Sequence, residues 1–318
     1  MNIITPDIDP IIVSLIELPE LVNLGCINKY FYKLVSDRPI IKQWLIIKNM
    51  PGKKSIAEIF IRTCENGFLL YGMFILKENK IDIHARDELA FRYSCENGHI
   101  EIARWLIHLG ESARYKRINI NANYEYAFRS SCYNGHIEIA RWLIHLGESG
   151  EYGKIDIHVY AEDAFISSCH NGHIETSCML IHLGESRERK YGRINIHGGD
   201  EYAFRSSCEN GHIGIARWLI HLYKSGEYGK IDIHVWNEYI FRRSCASGHI
   251  QIARWLINLG ESGEYGRINI HAYDEYAFIW SCKNGHIEIA RWLIHLGESG
   301  KYNKIDQQII DKYIKKLN

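Results

Sequence analysis

Apolar side chains recur at helical spacing along most of the chain. Ile287, Ala290 and Leu293 share one face of a helix predicted over residues 286–296, with polar side chains on the other face. Gly285 ends a shorter helix before it, because glycine adopts the left-handed conformation at a helix C-terminus without steric cost. The pattern predicts two short helices joined by a tight turn, followed by a long polar loop.

This helix pair is repeated along the chain. One pair cannot bury its apolar face alone, so the copies must stack on one another. We expect a terminal capping helix over 305–318, with a polar outer side. Seven units are predicted over 52–304: a degenerate copy at 52–80, then 81–117, 118–154, 155–193, 194–230, 231–267 and 268–304.

Each unit resembles an ankyrin repeat. The matching residues of one unit are Gly135, His136, Glu138, Ile139, Ala140, Leu143, Ile144 and Gly147. The resemblance implies an all-α chain, an ankyrin-type helix-turn-helix solenoid over 52–304 with a short three-helix head. Two features depart from the family: residues 126–129 replace its Thr-Pro-Leu-His motif, and the loop is longer. Long-period arrays of this kind resemble the multigene ankyrin families of giant DNA viruses.

The first 51 residues form a separate compositional unit, which contains all five prolines of the chain. Apolar stripes interrupted by prolines predict three short helices. This segment resembles an F-box, a module that docks onto the adaptor subunit of cullin-type ubiquitin ligases. The resemblance implies that the adaptor is bound by Pro6, Ile8, Ile12, Leu21 and Leu24. The alternative is that these helices only cap the array.

Composition narrows the possible partners. The chain has 318 residues, 46% of them hydrophobic, and its 38 basic and 38 acidic residues cancel. Such a neutral, well-packed chain lacks the bulk charge of a nucleic-acid or membrane-surface binder. Its start is unlike a signal peptide, and its longest apolar stretch, 67–76, is too short to cross a membrane. We expect an intracellular, monomeric protein in the cytoplasm of a host cell. A location in the nucleus is the alternative.

The 17 histidines and nine cysteines raise the possibility of a metal site. Pairs such as Cys132 and His136 straddle the Asn-Gly turn, and equivalent residues of stacked helices lie about 8–10 Å apart. Zinc needs three or four ligands at about 2.0–2.3 Å. We therefore expect buried free thiols, no cofactor and no catalytic site, with a metal-dependent enzyme as a remote alternative. Sixteen histidines fall in three repeating columns, and His170 stands outside them. So many imidazoles predict an array that loosens in acid.

Positions that change between units are free to define a partner. Tyrosine, tryptophan and arginine at such positions are typical of binding hot spots. They predict an array surface that binds a target protein through Arg86, Arg92, Tyr93, Tyr124, Tyr160, Trp236, Arg242, Arg243, Tyr273 and Trp280. The predicted function is an adaptor that brings a host target protein to a ubiquitin ligase. The alternative is a plain scaffold that sequesters a host protein.

Overall fold

The computed structural model describes residues 55–112, 114–186 and 190–314. The predicted head lies outside the described residues, as do its candidate adaptor-binding residues Pro6, Ile8, Ile12, Leu21 and Leu24.

The described residues form fifteen α-helices and no strand, as the all-α prediction required. The helices are α1 (Ile56–Glu65), α2 (Leu69–Glu78), α3 (Ala85–Glu96), α4 (Ile100–Gly110), α5 (Ala122–Tyr133), α6 (Ile137–Glu148), α7 (Val159–His170), α8 (Ile174–Glu185), α9 (Gly198–Glu209), α10 (Ile213–Lys224), α11 (Val235–Ala246), α12 (Ile250–Glu261), α13 (Ala272–Lys283), α14 (Ile287–Glu298) and α15 (Gln307–Ile314). The predicted order of helix, turn, helix and loop is confirmed. Odd-numbered helices from α1 to α13 are called inner helices below, and their partners outer helices.

The chain divides into two compact units. The first takes in the described residues up to Ala127 together with Trp142–Gly153, and the second takes in Phe128–Arg141 together with the described residues from Lys154 onward. Within each unit the core is built from the same side chains, because each copy supplies them at the same positions.

A phenylalanine of each inner helix forms the centre of this core. In the second unit, Phe204 is completely buried and its ring lies 6.2 Å from that of Trp255 on α12. Phe241 makes the same contact with Trp292 at 6.4 Å. These pairs join an inner helix to the outer helix of the next copy, so they hold successive copies together. In α8 the corresponding tryptophan is replaced by Met179, which is also buried.

Buried cysteines line the inner helices, as the sequence predicted. Cys208 and Cys245 are fully buried, and burial raises the pKa of both thiols. Desolvation disfavours the thiolate, which is the form that reacts and binds metals. Within the described ranges no group of three His, Cys, Asp or Glu side chains is placed to hold a metal ion. None of the helices described is long and apolar enough to cross a membrane.

The Gly-His pair at each turn joins neighbouring copies. In the second unit the imidazole of His249 packs directly on Gly211, and that of His286 packs on Gly248. A Cβ atom at either glycine would lie 2.7 Å from the histidine Cε1. Both glycines also have a positive φ, +87° and +88°. Glycine is therefore required twice over, by the backbone conformation and by the ring of the following copy.

Each inner helix from α3 to α13 starts with one left-handed turn. In α11, Trp236, Asn237 and Glu238 have φ of 51°, 55° and 60°, and the right-handed helix follows. For L-residues this conformation costs roughly 1–2 kcal/mol per residue, so the surrounding contacts must hold it. The sequence prediction missed this feature. The same turn occurs at 86–88, 123–125, 160–162, 199–201 and 273–275.

Candidate functional site

Large aromatic side chains project from the left-handed turns. Tyr160 is 60% exposed, Trp236 54% and Tyr273 66%, all in the second unit. Tyr124 occupies a similar place in the first unit and is also exposed. Four of the predicted partner-binding residues are therefore aromatic residues whose side chains are exposed at the start of an inner helix.

An arginine from the preceding copy supports the ring in the second unit. The Arg205 guanidinium lies 3.8 Å from the Trp236 ring centroid, and that of Arg242 lies 4.7 Å from the Tyr273 centroid. Arg129 stacks on Tyr160 in the same way, at 4.7 Å, and forms an ion pair with Asp163. A guanidinium over an aromatic face is attracted by the ring quadrupole. Each of these three arginines therefore holds the exposed ring in its orientation.

Two of these arginines, Arg205 and Arg242, also hold the left-handed turn of their own helix. Arg242 donates from Nε to the carbonyl of Asn237 at 2.8 Å and from Nη2 to the carbonyl of Trp236 at 2.9 Å. Burial lowers its pKa, although neighbouring tyrosines and Glu238 oppose the shift. In the first unit Arg92 makes equivalent bonds to the carbonyls of Asp87 and Arg86.

These bonds change the expected role of two arginines. Arg92 and Arg242 were predicted as partner-binding residues, but they are 8% and 6% exposed. Their donors are directed at backbone carbonyls of the chain itself. Both therefore position the turn and the neighbouring aromatic rings, and a partner would first meet the rings above them.

The remaining predicted residues are spread over the two units. In the first unit Arg86 forms an ion pair with Glu58 at 2.7 Å, and Tyr93 is half-buried. In the second unit Arg243 pairs with Glu209 at 2.5 Å. The Trp280 ring is 37% exposed and lies 5.6 Å from the ring of Tyr276.

Three tyrosines belong to the aromatic surface but were missed by the sequence prediction. Tyr239 packs against Trp236 with ring centroids 5.5 Å apart, and Tyr276 lies 6.2 Å from Tyr273. Tyr202 is exposed one copy earlier. All three occupy the same position of their units, so a comparison between units assigned them to the fold. The aromatic surface is defined here as Tyr202, Trp236, Tyr239, Tyr273, Tyr276 and Trp280.

A histidine and a glutamate fix the turn beneath this surface. His234 Nδ1 lies 2.9 Å from Glu238 Oε1, and its Nε2 lies 2.8 Å from the carbonyl of Tyr265 in the following loop. Glu238 also accepts from the backbone N–H of Asn269 at 3.0 Å. Because both ring nitrogens face acceptor oxygens, both carry a proton when the bonds are made. The imidazolium and the carboxylate thus tie one copy to the next.

This arrangement gives a testable pH dependence. Burial lowers the pKa of His234, but the hydrogen bonds to Glu238 and to the Tyr265 carbonyl, with the charges of Glu238 and Asp232, raise it overall. A raised folded pKa contributes stability that is complete below the unfolded pKa, about 6.5, and is lost as pH rises through the folded pKa. Glu238→Gln would bond a neutral imidazole instead. We expect urea unfolding at about pH 6 and pH 8.5 to show the larger stability difference between the wild type and Glu238→Gln at the lower pH. An equal difference at both values would contradict this.

A comparison with family models agrees with the repeated helix pairs of the second unit. Residues 204–306 match the family model of ankyrin repeats, in three copies. The ankyrin repeat domain of human ASB11, a solved crystal structure, is similar to this chain with a TM-score of 0.43 and 14% identity, covering 69% of this chain and 95% of that chain. No curated protein matches the sequence. Residues 204–306 therefore have the ankyrin-repeat helical fold, and ankyrin repeats are scaffolds for binding other proteins.

Proposed function

We propose that this chain is an adaptor that binds a target protein through the aromatic surface of its second unit. The observation that carries the proposal is the set of exposed rings that arginines of the array hold in place by stacking. Large exposed apolar surface is uncommon on soluble proteins and marks interaction sites. Tyrosine and tryptophan contribute large contact area with few rotatable bonds, so they suit the centre of a binding interface.

The proposal includes a role for the N-terminal segment. Residues 1–51 resemble an F-box, and the adaptor would use them to hold the adaptor subunit of a cullin-type ubiquitin ligase. The support is the sequence pattern around Pro6, Ile8, Ile12, Leu21 and Leu24. The similarity to viral ankyrin families suggests that the target is a host protein.

The first experiment tests the array. The full-length chain and the double variant Trp236→Ala/Tyr273→Ala would each be used for affinity capture from a eukaryotic cell extract. Arg217→Ala is the matched control, because Arg217 is exposed on outer helix α10 and is not part of the aromatic surface. We expect a protein that binds the wild type and the control but is reduced at least about tenfold with the double variant. Equal capture by all three would contradict the proposal.

The second experiment separates a ligase adaptor from a plain scaffold. The full-length chain would be compared with Leu21→Asp/Leu24→Asp for capture of a purified ligase adaptor subunit and for the half-life of the captured target. The ligase hypothesis expects binding and a shortened half-life that both depend on these leucines. If the target is bound and its half-life is unchanged by either chain, the scaffold alternative is correct.

A further inference from the structure

A polar pocket lies beside the aromatic surface, where three consecutive inner helices meet. It has a volume of about 290 Å³ and is lined by the end of α7, by α9 and by Tyr239 of α11. Tyr202 and Tyr239 provide aromatic walls, and Arg205, Glu209 and His170 provide its charged and titratable groups. His170 is the one histidine outside the three repeating columns.

His170 stands at a position that differs between copies: the inner helices from α3 to α13 end in Glu96, Tyr133, His170, Glu209, Ala246 and Lys283. The last residue of α3 is Glu96, which accepts from the Tyr126 hydroxyl at 2.9 Å. The last residue of α9 is Glu209, which accepts from the Tyr239 hydroxyl at 3.0 Å. At the end of α7 an imidazole stands in that place, so the carboxylate acceptor that Glu96 and Glu209 provide is absent there.

The imidazole of His170 presents a donor to the pocket. The side-chain amide of Asn210 donates to His170 Nδ1 at 3.1 Å. An imidazole whose Nδ1 accepts a hydrogen bond carries its proton on Nε2. His170 therefore adds an N–H donor at the position where α3 and α9 carry a carboxylate.

Arg205 adds a positive charge that has no carboxylate partner. The side chain is 5% exposed, and its Nε and Nη2 donate to the carbonyls of Asp200 and Gly199. In the part of the chain that the structure describes, no carboxylate forms an ion pair with it. Glu209 is already bound by Arg243 Nε at 2.9 Å and by the Tyr239 hydroxyl. The lining charges of Arg205 and Glu209 cancel, but Arg243, outside the lining, already pairs with Glu209 and leaves the charge of Arg205 uncompensated.

We infer that this pocket receives the carboxylate of an Asp or Glu side chain in an extended segment of the target protein, an inference that rests on the proposed function. The Arg205 charge and the His170 donor suit a carboxylate, since hydrogen bonds to charged groups are the stronger ones. Tyr202 and Tyr239 can pack on the methylene groups beside it. Binding of a nucleic acid is disfavoured, because phosphate binding needs several cations and Glu209 lies in the pocket.

The experiment uses a random 12-residue displayed peptide library selected on the full-length chain. His170→Glu introduces the residue that ends α3 and α9, where the same fold accommodates it. His170→Gln keeps an N–H donor near the position of Nε2, and His182→Glu places the same new charge on the exposed face of outer helix α8. Each selected peptide is then measured against all four proteins, with far-UV circular dichroism to check folding.

We expect the selected peptides to share an acidic residue. They should bind His170→Glu at least about tenfold more weakly and bind His170→Gln and His182→Glu within about threefold of the wild type. Selection of no peptide, of peptides without a shared acidic residue, or of peptides that bind His170→Glu equally well would overturn the inference. So would binding of a single-stranded oligonucleotide that His170→Glu alone abolishes.

The affinity-capture experiment distinguishes a failure of this inference from a failure of the proposed adaptor function. A target that is lost with Trp236→Ala/Tyr273→Ala but retained fully by His170→Glu would leave the adaptor function standing and remove the carboxylate pocket. A target retained by both variants would remove the aromatic surface as the binding site, and the inference with it.

Discussion

Gly248→Ala should destabilise the protein by about 3 kcal/mol. The new Cβ would lie 2.7 Å from Cε1 and 2.8 Å from Nδ1 of His286, closer than packed atoms approach. Relieving such overpacking typically costs 1–3 kcal/mol, and the positive φ of 88° adds about 1 kcal/mol for any residue with a Cβ. Urea unfolding followed by circular dichroism measures the loss.

Gly285→Ala is the matched control for this substitution. Gly285 ends inner helix α13 with φ of 79°, but among the described residues other than its chain neighbours no atom lies within 4 Å of the place where its Cβ would be. Gly285→Ala should therefore lower the free energy of unfolding only by the backbone strain of a positive φ, about 1 kcal/mol. Adding His286→Ala to Gly248→Ala should recover most of the steric part, because the clashing ring is gone. Equal losses for the two glycine variants would show that backbone conformation alone requires glycine at this turn.

Glu238→Ala should cost about 2–3 kcal/mol. The carboxylate accepts from His234 Nδ1 at 2.9 Å and from the Asn269 N–H at 3.0 Å, and it is 6% exposed. Hydrogen bonds to a charged group contribute roughly 1.5–3 kcal/mol, and their loss leaves a backbone donor of the next copy without its acceptor. Alanine at this position adopts the same left-handed conformation as glutamate, so the backbone strain is unchanged. Urea unfolding gives the comparison with the wild type.

Glu275→Ala supplies the control, since Glu275 has the same place on α13. It keeps the contact with His271 Nδ1, at 2.6 Å, but its Oε2 is buried without a hydrogen-bond partner. Only the bond within its own copy is lost, so we expect about 1 kcal/mol. If Glu275→Ala costs as much as Glu238→Ala, the bond to the following copy contributes nothing measurable.

The sequence predicted helices well and turns less well, for physical reasons. Ile287, Ala290 and Leu293 define a helix locally, because helical spacing is a property of neighbouring residues. The left-handed turn at Trp236 depends on Arg242 six residues later and on packing with the adjacent copies, so no local pattern indicates it. Arg92 and Arg242 were expected to contact a partner because their position changes between units and arginine is frequent in binding hot spots. Their burial depends on carbonyls that only the folded turn presents.

The expected loosening in acid is wrong in direction for two histidines. Hydrogen bonds to a glutamate and to a backbone carbonyl outweigh burial and raise the pKa of His158 and His234, so both stabilise the array more at low pH. His212 behaves as the sequence suggested. Burial lowers its pKa, helped by nearby imidazoles and opposed by a bond to the His170 carbonyl. Its contribution is present above about pH 6.5 and is lost as pH falls.

The contact between each glycine and the following histidine gives the array a direction. Gly211 and Gly248 each contact a ring of the following copy, while no ring from the part of the chain that the structure describes lies against Gly285. A copy inserted after α14 would find a complementary face already formed and would present an identical face in turn. The surface that stabilises the array thus also allows another copy to be added. Duplication of the coding segment of one copy therefore needs no compensating change elsewhere. In such a protein, the length of the binding surface can evolve separately from the stability of the repeats that carry it.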